Sequence, residues 1–246
     1  MPVFFITADQ IHGATVTVTG SLLDHLRSSL RVRTGERIWV GDESRRRCLI
    51  EVTHVDRREL RGTVIEQCTG PSPSTPRLLV GQAILKGERM DWAIQKTTEL
   101  GVAVIVPLVS EHTIVRPKQM RVGSRQERWQ RIAAEAAQQS ERWDMPAIGT
   151  PCTAMEFFST PAQAALKLIL SERGTGQSLN VVTLPSSPTQ TIALAIGPEG
   201  GWRDVELAQA NASGFLPVTL GARILRAETA ALAAVSVLQS RLGELG

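Results

Sequence analysis

The chain has 246 residues and a mass of 26.7 kDa, with 42% hydrophobic and 21% charged residues and a mean hydropathy of −0.03. That balance suits a water-soluble globular protein and excludes a disordered or collagen-like chain. The net charge of +3 and the isoelectric point of about 9.0 lean towards an anionic partner.

Length predicts one large or two modest domains, at roughly 150 residues per domain. Cys48, Cys68 and Cys152 are odd in number and far apart. They match neither a disulfide framework nor zinc-ligand spacing, so a reducing cytoplasm and no metal are expected. The N-terminus lacks the basic start and long apolar run of a signal peptide. No segment reaches the roughly 18 uninterrupted apolar residues of a membrane span.

In chain order, Ser21-Leu22-Leu23-Asp24 has capping-box character, and Leu22, Leu26 and Leu30 at helical spacing predict a short helix. Segments 37–40, 47–55 and 60–67 are short, apolar and β-branched, which predicts strands of a small β-barrel. Arg45-Arg46-Arg47 then reads as a solvated hairpin tip, or as a minor RNA contact. The run Gly70-Pro71-Ser72-Pro73-Ser74-Thr75-Pro76 forbids regular structure. It separates a domain at 1–72 from one at 73–246.

Beyond it strands and helices alternate, which predicts an α/β domain with a largely parallel sheet. Strands are expected at 78–83, 102–109, 166–170, 191–196 and 215–220. Met90, Ala93, Ile94, Thr97 and Leu100 share a helical face that Gly101 can end. Further helices are expected at 126–143, 204–213 and 228–240. From Arg116 to Arg131 six basic residues face one acid, Glu127, a block suited to phosphate.

Two strand-ending loops carry the chemistry-bearing residues. Gly197-Pro198-Glu199-Gly200-Gly201-Trp202 follows the fourth strand, and Gly221-Ala222-Arg223-Ile224-Leu225-Arg226 leads from the fifth into the last helix. Ligands of open α/β sheets bind at the carboxyl ends of strands, where glycines admit close backbone approach. A plain tight turn is as good a reading of the glycines alone. No dinucleotide fingerprint, Walker motif or nucleophile elbow occurs. Most of His12, His25, His54 and His112 read as ordinary surface or structural histidines. Arg223 and Arg226 could form structural ion pairs with Glu199 or Glu228, and Glu228 could simply complement a helix dipole.

Together the motifs Leu85-Lys86-Gly87-Glu88-Arg89-Met90, Gln95-Lys96-Thr97-Thr98-Glu99-Leu100-Gly101, Arg128-Trp129 with Glu135-Ala136-Ala137-Gln138-Gln139-Ser140, Ile196 to Gly201, and Leu220 to Ala230 resemble the bacterial 16S ribosomal RNA (uracil-N3) methyltransferases of the SPOUT superfamily. His25-Leu26, Leu30-Arg31 and Gly35-Glu36 resemble the family's PUA-like barrel more loosely. Glu36 stands where Asp is expected, Trp202 where Phe is usual, and Glu141 interrupts a Gln-Ser-Gly pattern.

The resemblance implies S-adenosylmethionine as methyl donor, a deep trefoil knot and a homodimer acting on ribosomal RNA or the small ribosomal subunit. It implies Glu228 or Glu199 as the base, with Arg226 offsetting charge on the uracil. The donor would meet Leu170, Ser171, Ile196, Gly197, Pro198, Gly200, Gly201, Leu220, Gly221, Ile224, Leu225 and Thr229. RNA would be held by His25, Arg27, Arg31, Lys86, Arg89, Arg116, Lys118, Arg121, Arg125 and Arg128. Two rival readings are a SPOUT enzyme acting on another base and a non-catalytic RNA-binding module.

Overall fold

A computed structural model describes residues 3–113, 122–160, 163–171 and 176–246. Arg116, Lys118 and Arg121 of the basic block lie outside these residues. The chain divides into two units, one of residues 1–72 together with 137–145, the other of 73–136 and 146–246. The expected division at the proline-rich run did not include 137–145, a segment with no compositional break to mark it.

The first unit is a six-stranded sheet of β1 (Val3–Phe5), β2 (Ile11–His12), β3 (Thr15–Val18), β4 (Arg37–Gly41), β5 (Arg46–Val55) and β6 (Leu60–Thr69), in the order β1-β4-β5-β6-β3-β2. Only β1 runs parallel to its neighbour. The two outermost strands of that order, β1 and β2, are not paired with each other. β1, β2 and β3 went unread because two to four residues are too short for a period-two pattern. Alternation along β5 buries Cys48, Ile50 and Val52 in a core with Val16, Val18, Leu26 and Leu60.

The short helix α1 (Gly20–Asp24) runs into a π-helical turn at His25–Ser29. Thr19 occupies its N-cap position and makes no side-chain cap bond. The capping box read at Ser21 is therefore not formed.

Nor is the arginine run a solvated tip. Arg46 pairs at 2.7 Å with Asp42, whose side chain is fully buried, and Arg45 pairs with Asp144 at 3.2 Å. Arg47 lies 3.8 Å over the Trp143 ring and donates to the carbonyls of Glu141 and Arg142. These contacts explain why 137–145 belongs with the first sheet: the segment supplies an aromatic face and two carbonyls to Arg47 and a carboxylate to Arg45.

The second unit is one wholly parallel sheet. Its strands are β7 (Arg77–Ala83), β8 (Val104–Val109), β9 (Ala147–Ile148), β10 (Cys152–Thr153), β11 (Leu166–Leu170), β12 (Gln177–Ser178), β13 (Thr191–Ile196) and β14 (Leu216–Thr219). The order is β10-β8-β7-β13-β11-β14-β12, with β9 also paired to β8. β13, late in the sequence, lies between β7 and β11, so its loop and that of β14 flank β11 at one carboxyl edge.

Helices α2 (Glu88–Glu99) and α6 (Ala227–Leu242) cover one face with α3 (Val122–Gln139), burying Met90, Ile94, Trp129, Ala231, Ala234 and Leu238. The other face is closed by α4 (Ala154–Ser159) and α5 (Asp204–Ala212) around Phe157, Phe158, Ala210 and Phe215. Phe158 and Phe215 meet edge to face at 5.2 Å.

Gly101 sits at φ +87 after α2, the stop its position suggests. α3 ends at Gln139 instead of 143. The Arg142 N–H bonds back to Ala137 O and Glu141 takes a left-handed φ of +54, which closes the helix before the expected Pro146.

Candidate functional site

The site forms where β11, β13 and β14 end. A cleft there is lined by Leu170 and Ser171 after β11, by Thr219, Leu220, Gly221, Arg223, Ile224 and Leu225 after β14, and by Ala230 of α6. Its walls are mainly apolar, with backbone groups and the hydroxyls of Ser171 and Thr219 among them. Ile224 is 76% exposed at the lip. Thr219 Oγ1 accepts from the Gly221 N–H at 3.2 Å, a local turn that shapes the far wall.

Of the expected donor contacts, Leu170, Ser171, Leu220, Gly221, Ile224 and Leu225 meet in this cleft. Ile196, Gly197, Pro198, Gly200, Gly201 and Thr229 do not line it. Ile196 and Pro198 are buried, so the Ile196 side chain belongs to the core. Thr219, Arg223 and Ala230 were not anticipated as lining. Ala230, two residues into the helix beyond Glu228, carries no polar signal that could have marked it.

The glycine loop between β13 and α5 is held from outside. Trp202 donates its indole N–H to the Leu170 carbonyl at 3.1 Å and packs edge-on against Phe158 at 5.6 Å. It thereby ties the loop to the strand end that lines the cleft. His112 approaches from the loop after β8, with Nδ1 2.9 Å from Gly200 O and 3.1 Å from Gly201 O.

A Cβ on Gly200 would stand 3.0 Å from His112 Cβ, a tight contact, and Gly201 adopts φ +70, a conformation that favours glycine. Glu206, 2% exposed, accepts from the Arg203 N–H, the Ser110 hydroxyl and the Glu111 N–H. Its carboxylate joins the start of α5 to the same β8 loop. His112 thus has a structural role, one of the readings its sequence context allowed. Its Gly200-Gly201 partners lie 88 and 89 positions away, beyond any local signal.

The acids and bases converge differently from the sequence reading. Arg89, in the first turn of α2, lies 3.0 Å from Glu199 and 3.9 Å from Glu228. Arg223 and Arg226 form no ion pair with any described residue and are exposed. The structural ion pair expected of Arg223 or Arg226 is supplied by Arg89 instead.

Glu228 is in the first turn of α6, where the helix dipole favours a carboxylate. Its side chain is 12% exposed, and its buried Oε2 has no hydrogen-bond partner among the described residues. An acceptor atom left over in this way is costly unless a ligand completes it.

The expected RNA contacts are scattered. His25, Arg31 and Lys86 are exposed; Arg27 meets Asp24 at 3.4 Å. Arg125 is half-buried. Arg128 is clamped on Asp91 at 2.7 Å, which holds its guanidinium more firmly protonated than usual. Among the described residues no cluster of His, Cys, Asp or Glu could hold a metal ion, and no helix is long and apolar enough to cross a membrane.

Comparison with known proteins bears on the same region. The profile of the RNA methyltransferase domain matches residues 72–239. The ribosomal RNA small subunit methyltransferase E of Synechocystis is 37% identical, over 96% of this chain and 77% of its own. The crystal structure of the Neisseria gonorrhoeae ribosomal RNA small subunit methyltransferase E bound to S-adenosyl methionine is similar with a TM-score of 0.84, at 34% identity and 98% coverage of each chain. A putative methyltransferase from Legionella pneumophila, in complex with the same cofactor, gives a TM-score of 0.87 at 30% identity and 97% coverage of each. With the cleft, the parallel sheet and the matched residues in agreement, the chain belongs to the ribosomal RNA small subunit methyltransferase E family of RNA methyltransferases.

Proposed function

We propose that the protein transfers a methyl group from S-adenosylmethionine to N3 of a uridine in 16S ribosomal RNA. The observation that carries this reading is the cleft at the ends of β11 and β14; Arg89 separately joins two carboxylates, Glu199 of the loop after β13 and Glu228 of the helix whose Ala230 lines that cleft. Both solved relatives described above hold the donor, which supports the same cofactor here.

The residues present fit that cofactor. Leu170, Leu220, Leu225 and Ala230 offer apolar surface for a nucleoside, and Ser171, Thr219 and the backbone around Gly221 offer polar partners. The glycine loop, with Ile196, Gly197, Pro198, Gly200 and Gly201, and Thr229 of α6 complete the proposed donor set. When bound, S-adenosylmethionine supplies an electrophilic methyl group on a sulfonium.

The chain must do the rest. Neutral uracil carries a weakly acidic proton on N3, which has to leave as the methyl arrives. Glu228 Oε2, unpartnered and buried, accepts that proton. Glu199 is the alternative acceptor. Arg89, bridging the two carboxylates, keeps them at the base edge, and Arg226, without an ion pair among the described residues, offsets negative charge on the uracil oxygens or phosphate. Holding acceptor and donor in line supplies much of the rate.

The acceptor base must be unstacked from its strand to enter. We assign the grip on its phosphates to the basic block, Arg116, Lys118, Arg121, Arg125 and Arg128, and to His25, Arg27, Arg31 and Lys86. Residues 1–72 serve in this reading as a PUA-like RNA-binding barrel, and 73–246 as a SPOUT domain. A trefoil knot belongs to this reading, and the strand order β7-β13-β11-β14 is compatible with it. The alanine-rich α6 is thin enough for close packing against the knot or a second subunit, in line with a homodimer in the cytoplasm.

The test is methyl transfer to small-subunit RNA, free and assembled into the subunit, with the product mapped at nucleotide resolution. A methyl group on uracil N3 supports the reading; one on another base or on ribose replaces the acceptor. Absence of donor binding at millimolar concentration would leave an RNA-binding module.

A further inference from the structure

The 197–202 loop is held at one end by its own Trp202 on the Leu170 carbonyl and in its middle by His112, which belongs neither to the loop nor to the cleft lining. His112 Nδ1 faces two carbonyl oxygens, those of Gly200 and Gly201, at 2.9 and 3.1 Å. Carbonyl oxygens only accept, so Nδ1 must carry a hydrogen shared between them, in the neutral ring as in the charged one. The ring also fills the notch left by the missing side chain of Gly200, whose Cβ would stand 3.0 Å from His112 Cβ.

The loop bearing His112 is itself fixed. Thr113 Oγ1 accepts from the Ser110 N–H at 2.9 Å, and the Thr113 N–H returns a bond to Ser110 O at 3.0 Å. Buried Glu206 ties Ser110 and Glu111 to the start of α5 at 3.1 and 3.2 Å. The opposite end of the glycine loop is held by Trp202 on Leu170 O at 3.1 Å. Two bare glycines, one of them at φ +70, would otherwise leave these peptide planes free to turn.

We propose that His112 is a positioning residue for the methyl donor: its Nδ1–H fixes the Gly200 and Gly201 carbonyls, so that the donor side of the loop is formed before S-adenosylmethionine arrives. The proposal rests on the reading that this loop takes the donor. A flexible loop would lose conformational freedom on binding and weaken it by that amount; a fixed one does not. His112 needs no contact with the donor and no titration to act.

Two measurements test this. Ring nitrogen NMR on the full ¹⁵N-labelled chain at mildly alkaline pH reads the tautomer. Nδ1–H at His112 is expected, and Nε2–H, the form favoured by free histidine, overturns the proposal. Calorimetric titration with S-adenosylmethionine then compares His112→Leu, which keeps bulk without a donor, with His112→Asn, whose amide N–H can reach the place of Nδ1. The Leu variant should raise Kd about three- to tenfold, the span of one or two hydrogen bonds, while the Asn variant stays within about twofold of the parent.

A Gly201→Trp chain is the control for the underlying reading. If Gly201→Trp abolishes saturable binding but His112→Leu binds like the parent, the positioning role is wrong. If Gly201→Trp also binds normally, the loop is not the donor site and the role falls with it. Thermal melting without ligand reports folding. Should the Leu variant not fold, the tautomer and the Asn variant decide, a tenfold loss in the latter overturning the proposal.

Discussion

Arg89 meets Glu199 at 3.0 Å across 110 positions of sequence, and through this pair the first turn of α2 is bound to the loop after β13. The same guanidinium lies 3.9 Å from Glu228 on α6. One cation therefore sits between two carboxylates, one from the loop after β13 and one from the first turn of α6, and its removal leaves both without this ion partner. Replacing Arg89 by Gln should lower single-turnover methyl transfer by about 10²-fold, the usual effect of losing one preorganised charge-stabilising group. Donor affinity should change little, because Arg89 does not line the cleft. A fall in RNA affinity alone, with an unchanged single-turnover rate, would return Arg89 to the phosphate-binding role first read for it.

Glu228 carries the sharper consequence. A glutamine at this position keeps the volume and one acceptor but cannot take a proton. Methyl transfer at saturating donor and RNA should drop by about 10²- to 10⁴-fold, the range of general-base catalysis. Glu199→Gln should cost less if Glu228 is the acceptor. The opposite ranking of the two variants in rapid-quench assays would transfer the base role to Glu199.

Much of this architecture was legible because its determinants are local. The 3.6-residue period through Met90, Ile94 and Thr97 defines α2, and the apolar runs of β11 and β13 match their expected bounds residue for residue. What escaped depends on contacts between distant residues. Asp42 stands four residues from Arg46, but nothing near the arginine run announces that Trp143 and Asp144 will take up Arg47 and Arg45. Nothing near His112 announces its glycine partners. Charge and glycine content point to the loops that matter, while the pairing of Arg89 in place of Arg223 or Arg226 is decided by the strand order that brings α2 and α6 together.

Trp202 offers a conservative probe of the same region. Its indole N–H caps the Leu170 carbonyl at 3.1 Å, and its ring packs on Phe158. Phenylalanine, the residue usual here in the family it resembles, would keep most of the packing and lose the hydrogen bond. A loss of about 1 kcal/mol in stability is expected from urea unfolding, together with a modestly raised Kd for S-adenosylmethionine. Unchanged values in both would mean that the loop is held by packing and His112 alone.

Asp42 gives the first unit a defined acid sensitivity. Burial of its carboxyl works to raise the pKa, but hydrogen bonds from Ser44 and from the Arg46 side chain and backbone, with the Arg46 charge, outweigh it, and the net direction is downward from 3.8. A group whose pKa is lower in the folded state stabilises the fold above its unfolded pKa and loses that contribution as pH falls through the folded value. Below 3.8 the unfolded chain binds the proton first, so the contribution drains away on further acidification.

Asp42→Asn should therefore unfold earlier in urea at pH 7, by about 2 kcal/mol, since the charged acceptor of the Ser44 and Arg46 donors is gone. The gap from the parent should narrow steadily as pH falls below 3.8 and the parent aspartate takes up its proton. A gap that stays constant across that range would show that geometry, and not the charge of Asp42, holds the 42–46 turn.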